Sequence, residues 1–202
     1  MDIQSIRDFI AFYDESVFKA INLGLGARWL DPVMIAFTFL GIGAAQVGIG
    51  LGAIIAGFAT KKPLLRTAGY AALVACLIAL LFSQIGKFVC NRPRPALLFF
   101  DIRLPDGPRF VHSFPSGHTT VTFAAAIVWA AFAARFRWMI LAVAGLVGLS
   151  RVYLGVHFPL DVIYGAVLGT MSGKLSLWIF RDRTIDIDKE KTLPEATSTN
   201  TG

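Results

Sequence analysis

Charge is scarce in this chain. Aspartate, glutamate, lysine and arginine together supply 16% of its 202 residues, where an ordinary globular chain carries about 25%. A soluble domain of this size needs a polar surface, so the deficit argues against one. Cysteine is scarce too: Cys76 and Cys90 are the two, which excludes a disulfide scaffold. No internal repeat is visible, and no uninterrupted apolar core marks a signal peptide at the start. What fills the space is apolar. Hydrophobic residues make up 55% of the sequence and mean hydropathy is +0.65. Disorder is excluded for most of the chain, and lipid becomes the expected solvent. The charges that remain lean basic, 19 against 13, a net +6. In a soluble chain that balance would point to nucleic acid. Here it points to an anionic membrane surface or an anionic substrate, with no nucleic-acid partner.

The expected fold class is all-α, an integral-membrane bundle of five, or six, transmembrane helices preceded by an amphipathic helix. Five apolar stretches reach the length of about 20 residues that a crossing needs: 31–59, 66–88, 116–134, 137–155 and 158–180. The first is long enough for Gly41 and Gly43 to divide it into a short piece and a span. Small residues four apart (Gly48/Gly52, Gly165/Gly169, Gly169/Gly173) are expected to let helix backbones approach closely. Residues 1–29 alternate charges with Ile3, Ile6, Phe9, Ile10, Phe12, Phe18 and Ile21, the pattern of a helix lying in an interface. Residues 30–180 form the membrane domain, and 181–202 read as a disordered polar tail.

Orientation follows from lysine and arginine in the connections. Lys61, Lys62, Arg66, Arg135, Arg137, Lys174, Arg181, Arg183, Lys189 and Lys191 share one side, in short and almost purely basic connections. That side is expected in the cytoplasm, with the N-terminus outside and the C-terminus inside.

Three segments then fall together on the outer face. Lys87 and Arg94 lie at the end of the second span, Pro115-Ser116-Gly117-His118 opens the third, and Ser150-Arg151 to His157 and Asp161 joins the fourth to the fifth. Lys87, Arg94 and Arg151 are cations at a membrane boundary that would repel one another unless an anion offsets them. A phosphate suits them, through arginine forks and a lysine point charge. Arg92, Arg103 and Arg109 are read instead as snorkelling interface residues. A helix opening on Ser116 and Gly117 offers free N–H groups, a hydroxyl and close backbone approach to an anion. His157 and Asp161 are four apart, so the carboxylate can hold the Nδ1 proton and leave Nε2 as a lone pair. Zinc on His118, His157 and Asp161 is the alternative, disfavoured by the neighbouring cations. His112 is read as a loop residue.

Lys87–six residues–Arg94-Pro95, Pro115-Ser116-Gly117-His118 and Ser150-Arg151–five residues–His157–three residues–Asp161 resemble the three-part signature of the type-2 phosphatidic acid phosphatase family. That family shares its site with vanadium-dependent haloperoxidases and bacterial acid phosphatases. The resemblance covers roughly 30–180; many bacterial members have six spans, against five here. It implies a phosphohydrolase without metal or cofactor, working through a phosphohistidine. His157 would attack phosphorus, oriented by Asp161, and His118 would protonate the leaving oxygen and then activate water. Lys87, Arg94, Ser116, Gly117 and Arg151 would hold the phosphoryl oxygens. The implied partner is a lipid phosphate, with undecaprenyl pyrophosphate first, then phosphatidylglycerol phosphate or phosphatidic acid. The implied location is a bacterial inner membrane with the site facing out. A lipid phosphotransferase and a non-enzymatic transporter are the other readings; a haloperoxidase would need a soluble scaffold that the spans do not leave. The apolar run Ala96-Leu97-Leu98-Phe99-Phe100, inside a connection otherwise rich in proline and charge, is expected to cover the site mouth and meet a lipid tail.

Overall fold

A computed structural model describes residues 2–182. Every expected apolar stretch is helical, and no strand occurs among the described residues. The order is α1 (Ile3–Lys19), α2 (Asp31–Leu40), α3 (Gly43–Ala59), α4 (Pro63–Cys90), a short α5 (Pro95–Leu98), α6 (Gly117–Phe132), α7 (Arg137–Tyr153) and α8 (Pro159–Ile179). Proline stands in the first turn of α2, α4, α5 and α8, where its missing N–H is not needed. From Arg183 onward the expected polar tail lies outside the described residues.

The long first stretch does break at its glycines. α2 and α3 meet at 55°, and Gln46 Nε2 donates to the Leu40 carbonyl at 2.5 Å. A carbonyl freed by the bend is thereby satisfied where lipid could not satisfy it. Helices long and apolar enough to cross a membrane are α4, α7 with the turn before it, and α8, with the bent α2–α3 pair as a fourth. α6 is shorter than expected: 16 residues, or about 24 Å at the usual helical rise. It is the inner helix, packed against α3, α4, α7 and α8.

Small residues set that packing. Ala71, Ala72, Ala75 and Ala79 of α4 meet Val121, Ala124, Ala125 and Val128 of α6 in the core. A Cβ on Gly169 of α8 would stand 2.3 Å from the Thr120 carbonyl of α6, and one on Gly173 would stand 2.7 Å from the Ala124 carbonyl. The expected close approach therefore occurs along α8, whereas Gly48 and Gly52 face open space. Ser176 Oγ donates to the Ala71 carbonyl at 2.7 Å, joining α8 to α4. The outward face of α4 is apolar, with Leu77, Leu81, Ile85 and Phe88 exposed, as suits a helix solvated by lipid.

α1 is two-faced. Ile3, Ile6, Phe9, Phe12 and Val17 are exposed, while Asp14 and Phe18 are buried. Its end widens into a π-helical turn, Ala20–Gly24, and Asn22 within it is completely buried. Asn22 Nδ2 donates to the carbonyls of Arg103 and Tyr153 at 2.9 and 2.8 Å, and its Oδ1 accepts from Arg103 N. Arg103 donates to both oxygens of Asp31 at 2.8 Å. Arg103 is thus a tie between the N-terminal segment and the loop before α6, not the snorkelling residue its position suggested; Asp31 supplies the partner.

Candidate active site

Local sequence explains how the site residues reach one place. Lys87 stands in the last turn of α4, which Asn91 closes in a left-handed conformation (φ 41°, ψ 35°), tolerable for asparagine. Arg92 and Arg94 each precede a proline, which disfavours helical conformation for both; Arg94 is extended (φ −82°, ψ 159°). Two residues apart, they approach the same histidine–aspartate pair. Beyond α7, Gly155 adopts φ +75°, and a Cβ there would stand 2.4 Å from the Arg103 carbonyl. That turn folds the chain back so that the Val156 and His157 N–H groups both donate to the Arg151 carbonyl at 3.2 Å. His157 precedes α8 rather than lying on it. Asp161 is the helix's third residue and caps it, accepting from Phe158 N at 2.9 Å.

His157 is buried, with its Nδ1 at 3.5 Å from Asp161 Oδ2 and its Nε2 at 3.3 Å from Arg94 Nη1. Arginine has no acceptor, so Nε2 must present its lone pair and Nδ1 must carry the proton. Burial pushes the imidazole pKa down to about 3, assisted by Arg94 and Arg151 and opposed by the hydrogen bond to Asp161. The ring is therefore neutral at ordinary pH, with its lone pair directed at the cations.

A cavity of about 300 Å3 opens in front of it, lined by Lys87, Arg94, Arg109, Gly117, His118, Arg151 and His157, with Ser83, Gln84 and the Gly41–Gly43 bend behind. No carboxylate belongs to the lining. Arg151 is 3% exposed; its Nη1 donates to Thr38 at 3.1 Å and its Nε has no partner. An unpaired buried guanidinium donor is costly, and an anion in the cavity would relieve that cost. Arg94 Nη1 also donates to the Val156 carbonyl at 2.7 Å, and Lys87 reaches the His112 carbonyl at 3.4 Å. Seven of the eight residues marked by sequence surround or line this space or back its histidine. Ser116 stands deeper: it is fully buried, and its hydroxyl accepts from Thr119 at 2.9 Å.

Three residues were missed. Arg92 does not snorkel; it donates to Asp14 at 2.6 Å and to Asp161 at 2.8 Å, because an arginine fork can serve two carboxylates. Ser113, fully buried, donates to Asp161 and lies 3.4 Å from His157 Nδ1. Arg109, paired with Asp106 at 3.1 Å, belongs to the cavity wall. The Arg92-Pro93-Arg94-Pro95 alternation was the available signal for the first. Ser113, Arg92 and the Phe158 N–H all donate to Asp161, beside the His157 ring.

Residues 68–185 match the profile of the PAP2 superfamily. Undecaprenyl-diphosphatase of Sulfolobus acidocaldarius is 32% identical over 115 residues, 56% of each chain; this chain thus spans about half that relative's length. Phosphatidylglycerophosphatase B of Bacillus subtilis is 31% identical over 182 residues, 78% of each chain. The crystal structure of Aquifex aeolicus LpxE superimposes with a TM-score of 0.68 at 31% identity, over 80% of this chain and 93% of that one.

Proposed function

Because this chain belongs to the PAP2 superfamily, we propose that it is a metal-independent membrane lipid phosphatase or diphosphatase that works through a phosphohistidine. The observation that carries the reading is the buried His157, backed by Asp161, with its Nε2 3.3 Å from Arg94 at a cavity walled by cations. The phosphoryl group enters between Lys87, Arg94, Arg151 and the Gly117 end of α6, and takes Arg94 away from His157. Nε2 attacks phosphorus as the bond to the leaving oxygen breaks, and His118 delivers a proton to that oxygen. Asp161 steadies the imidazolium that forms at His157. His118 then takes a proton from water, whose oxygen attacks phosphorus and frees His157. Such a transfer depends on positioning and on stabilising charge at the phosphoryl oxygens, which is what this wall supplies. Ser116 contributes from beneath as the residue that opens α6.

Undecaprenyl pyrophosphate is the favoured substrate, supported by the Sulfolobus relative, with phosphatidylglycerol phosphate next, supported by the Bacillus relative, and phosphatidic acid after it. The chain resides in the inner membrane of a bacterium with the site outward, supported by the basic connections on the opposite side. Residues 30–180 form the catalytic domain and 1–29 its interfacial helix.

The test is phosphate release by the purified chain in detergent from a panel of these three lipids, without an acceptor. Release that His157→Ala abolishes is the expected result. Wild-type release by that variant would sink the nucleophile assignment, and release only with an acceptor lipid would make the protein a transferase.

A further inference from the structure

Asp14 has no part in the phosphate cavity, yet its carboxylate is 1% exposed on a helix whose other face is open. Burying a carboxylate is unfavourable unless it is paired and fully hydrogen-bonded. Asp14 is both. Oδ1 accepts from the Leu160 N–H at 2.8 Å, in the first turn of α8, and Oδ2 accepts from Arg92 Nη2 at 2.6 Å. The same guanidinium donates through Nη1 to Asp161 Oδ1 at 2.8 Å, and lies over the Phe158 ring 4.2 Å from its centroid. One planar fork therefore joins a carboxylate of the first helix to the carboxylate behind His157.

We propose that Asp14 and Arg92 are positioning residues for the His157–Asp161 pair, with Asp14 acting through Arg92. The N-terminal segment has other anchors: Phe18 is fully buried against Val152 and Phe158, and Asn22 is fully buried and bonded to Arg103 and Tyr153. What the Asp14–Arg92 pair adds is charge and direction at Asp161. Arg92 alone would place an uncompensated cation on Oδ1 of Asp161, the far oxygen of the carboxylate whose Oδ2 faces His157. Asp14 neutralises it and pins the fork, so that Asp161 keeps its negative field on His157. Because α1 exposes Ile3, Phe9 and Phe12 on its other face, the chain of contacts runs from the face suited to lipid to the reacting histidine.

The groups facing the pair come from every side: Lys87 from α4, Arg92 and Arg94 from the extended segment after it, Arg109 from the loop before α6, His118 from α6, Arg151 from α7 and Asp14 from α1. Among them Arg92 is the cation in contact with Asp161. Removing its charge leaves Asp161 free to stabilise an imidazolium, so His157 gains a proton more readily and the acid limb of kcat/KM moves to higher pH. Removing the charge of Asp14 does not move that limb upward.

The inference rests on the phosphohistidine reading, and its experiment separates the two. The full chain in detergent is assayed on whichever panel lipid the wild type turns over; a wild type inactive on all of them defeats the functional reading itself. Asp14→Asn is expected to lower kcat about tenfold with little change in KM, the equivalent of about one hydrogen bond to a charged group, and Asp14→Glu is expected to restore most of it. Arg92→Met is expected to raise the acid limb. In the Arg92→Met background, Asp14→Asn should cost nothing more, because its route is already gone. Thermal unfolding checks that each variant is folded. An unmoved acid limb in Arg92→Met, or the same kcat loss from Asp14→Asn in both backgrounds, would overturn the proposal. If Asp14→Asn is not recovered folded, the Arg92→Met limb decides alone.

Discussion

Ser113 Oγ donates to Asp161 and lies 3.4 Å from His157 Nδ1, so one buried hydroxyl touches both members of the pair. Its backbone is held in turn, with Ser113 N donating to the Arg92 carbonyl at 2.8 Å. Ser113→Ala removes one donor to Asp161 and leaves Arg92, the Phe158 N–H and the Nδ1–H of His157. The expected result is a kcat lowered about tenfold, the equivalent of about one hydrogen bond to a charged group, with KM nearly unchanged. Steady-state phosphate release measures both, and an unaltered kcat would show that Ser113 only fills space.

The bend in the first span has a consequence for His118. A Cβ on Gly41 would lie 2.6 Å from Val147 Cγ1 and 3.1 Å from His118 Cβ. Gly41→Ala must therefore displace α7 or push His118 off its position. Overpacking of this kind destabilises by about 1–3 kcal/mol, and the displaced ring should also lose proton transfer. The variant is expected to melt lower in detergent and to show reduced kcat. Full activity with unchanged melting would mean that the bend yields without cost.

How much of this could be read beforehand depends on where the determinants lie along the chain. Lys87, Arg94, His118, Arg151 and His157 occupy helix ends and turns whose signals are local: an asparagine closing a helix, a proline after each arginine, a glycine turn before the histidine. The bend at Gly41 was legible for the same reason. Arg92 and Arg103 were not, because what distinguishes an ion pair from a snorkelling side chain is its partner. Those partners are 78 and 69 residues away for Arg92 and 72 for Arg103. Ser113 depends likewise on a partner 48 residues on. The short α6 escaped because apolar composition shows that a segment tolerates lipid, not how many other helices surround it.

Protonation of His157 also couples to stability. Its pKa falls from 6.5 to about 3 on folding, chiefly through burial. Between those values the unfolded chain binds a proton that the folded chain refuses. The stabilising contribution is therefore complete above 6.5 and is lost as the pH falls towards about 3. Melting temperature in detergent should decline across that window, and His157→Gln should flatten the decline. An equal decline in the variant would assign the acid sensitivity to other groups.

The apolar run after Arg94 divides where composition alone treats it as one. Phe99 packs inward, with ring centroids 6.1 Å from Phe18 and 6.3 Å from Phe158, and Lys19 Nζ stands 4.4 Å above it. Phe100, next in sequence, is fully exposed. Phe99→Ser should therefore loosen the contact between α1 and the start of α8. Its expected signs are a lower melting temperature and reduced turnover of lipid and of a soluble phosphate ester alike. Phe100→Ser should leave melting unchanged and spare the soluble ester, while raising KM for a long-chain lipid whose tail meets that ring. Parallel kinetics on the two substrates separate these outcomes. An equal loss on both substrates in Phe100→Ser would remove the tail contact from the account of this loop.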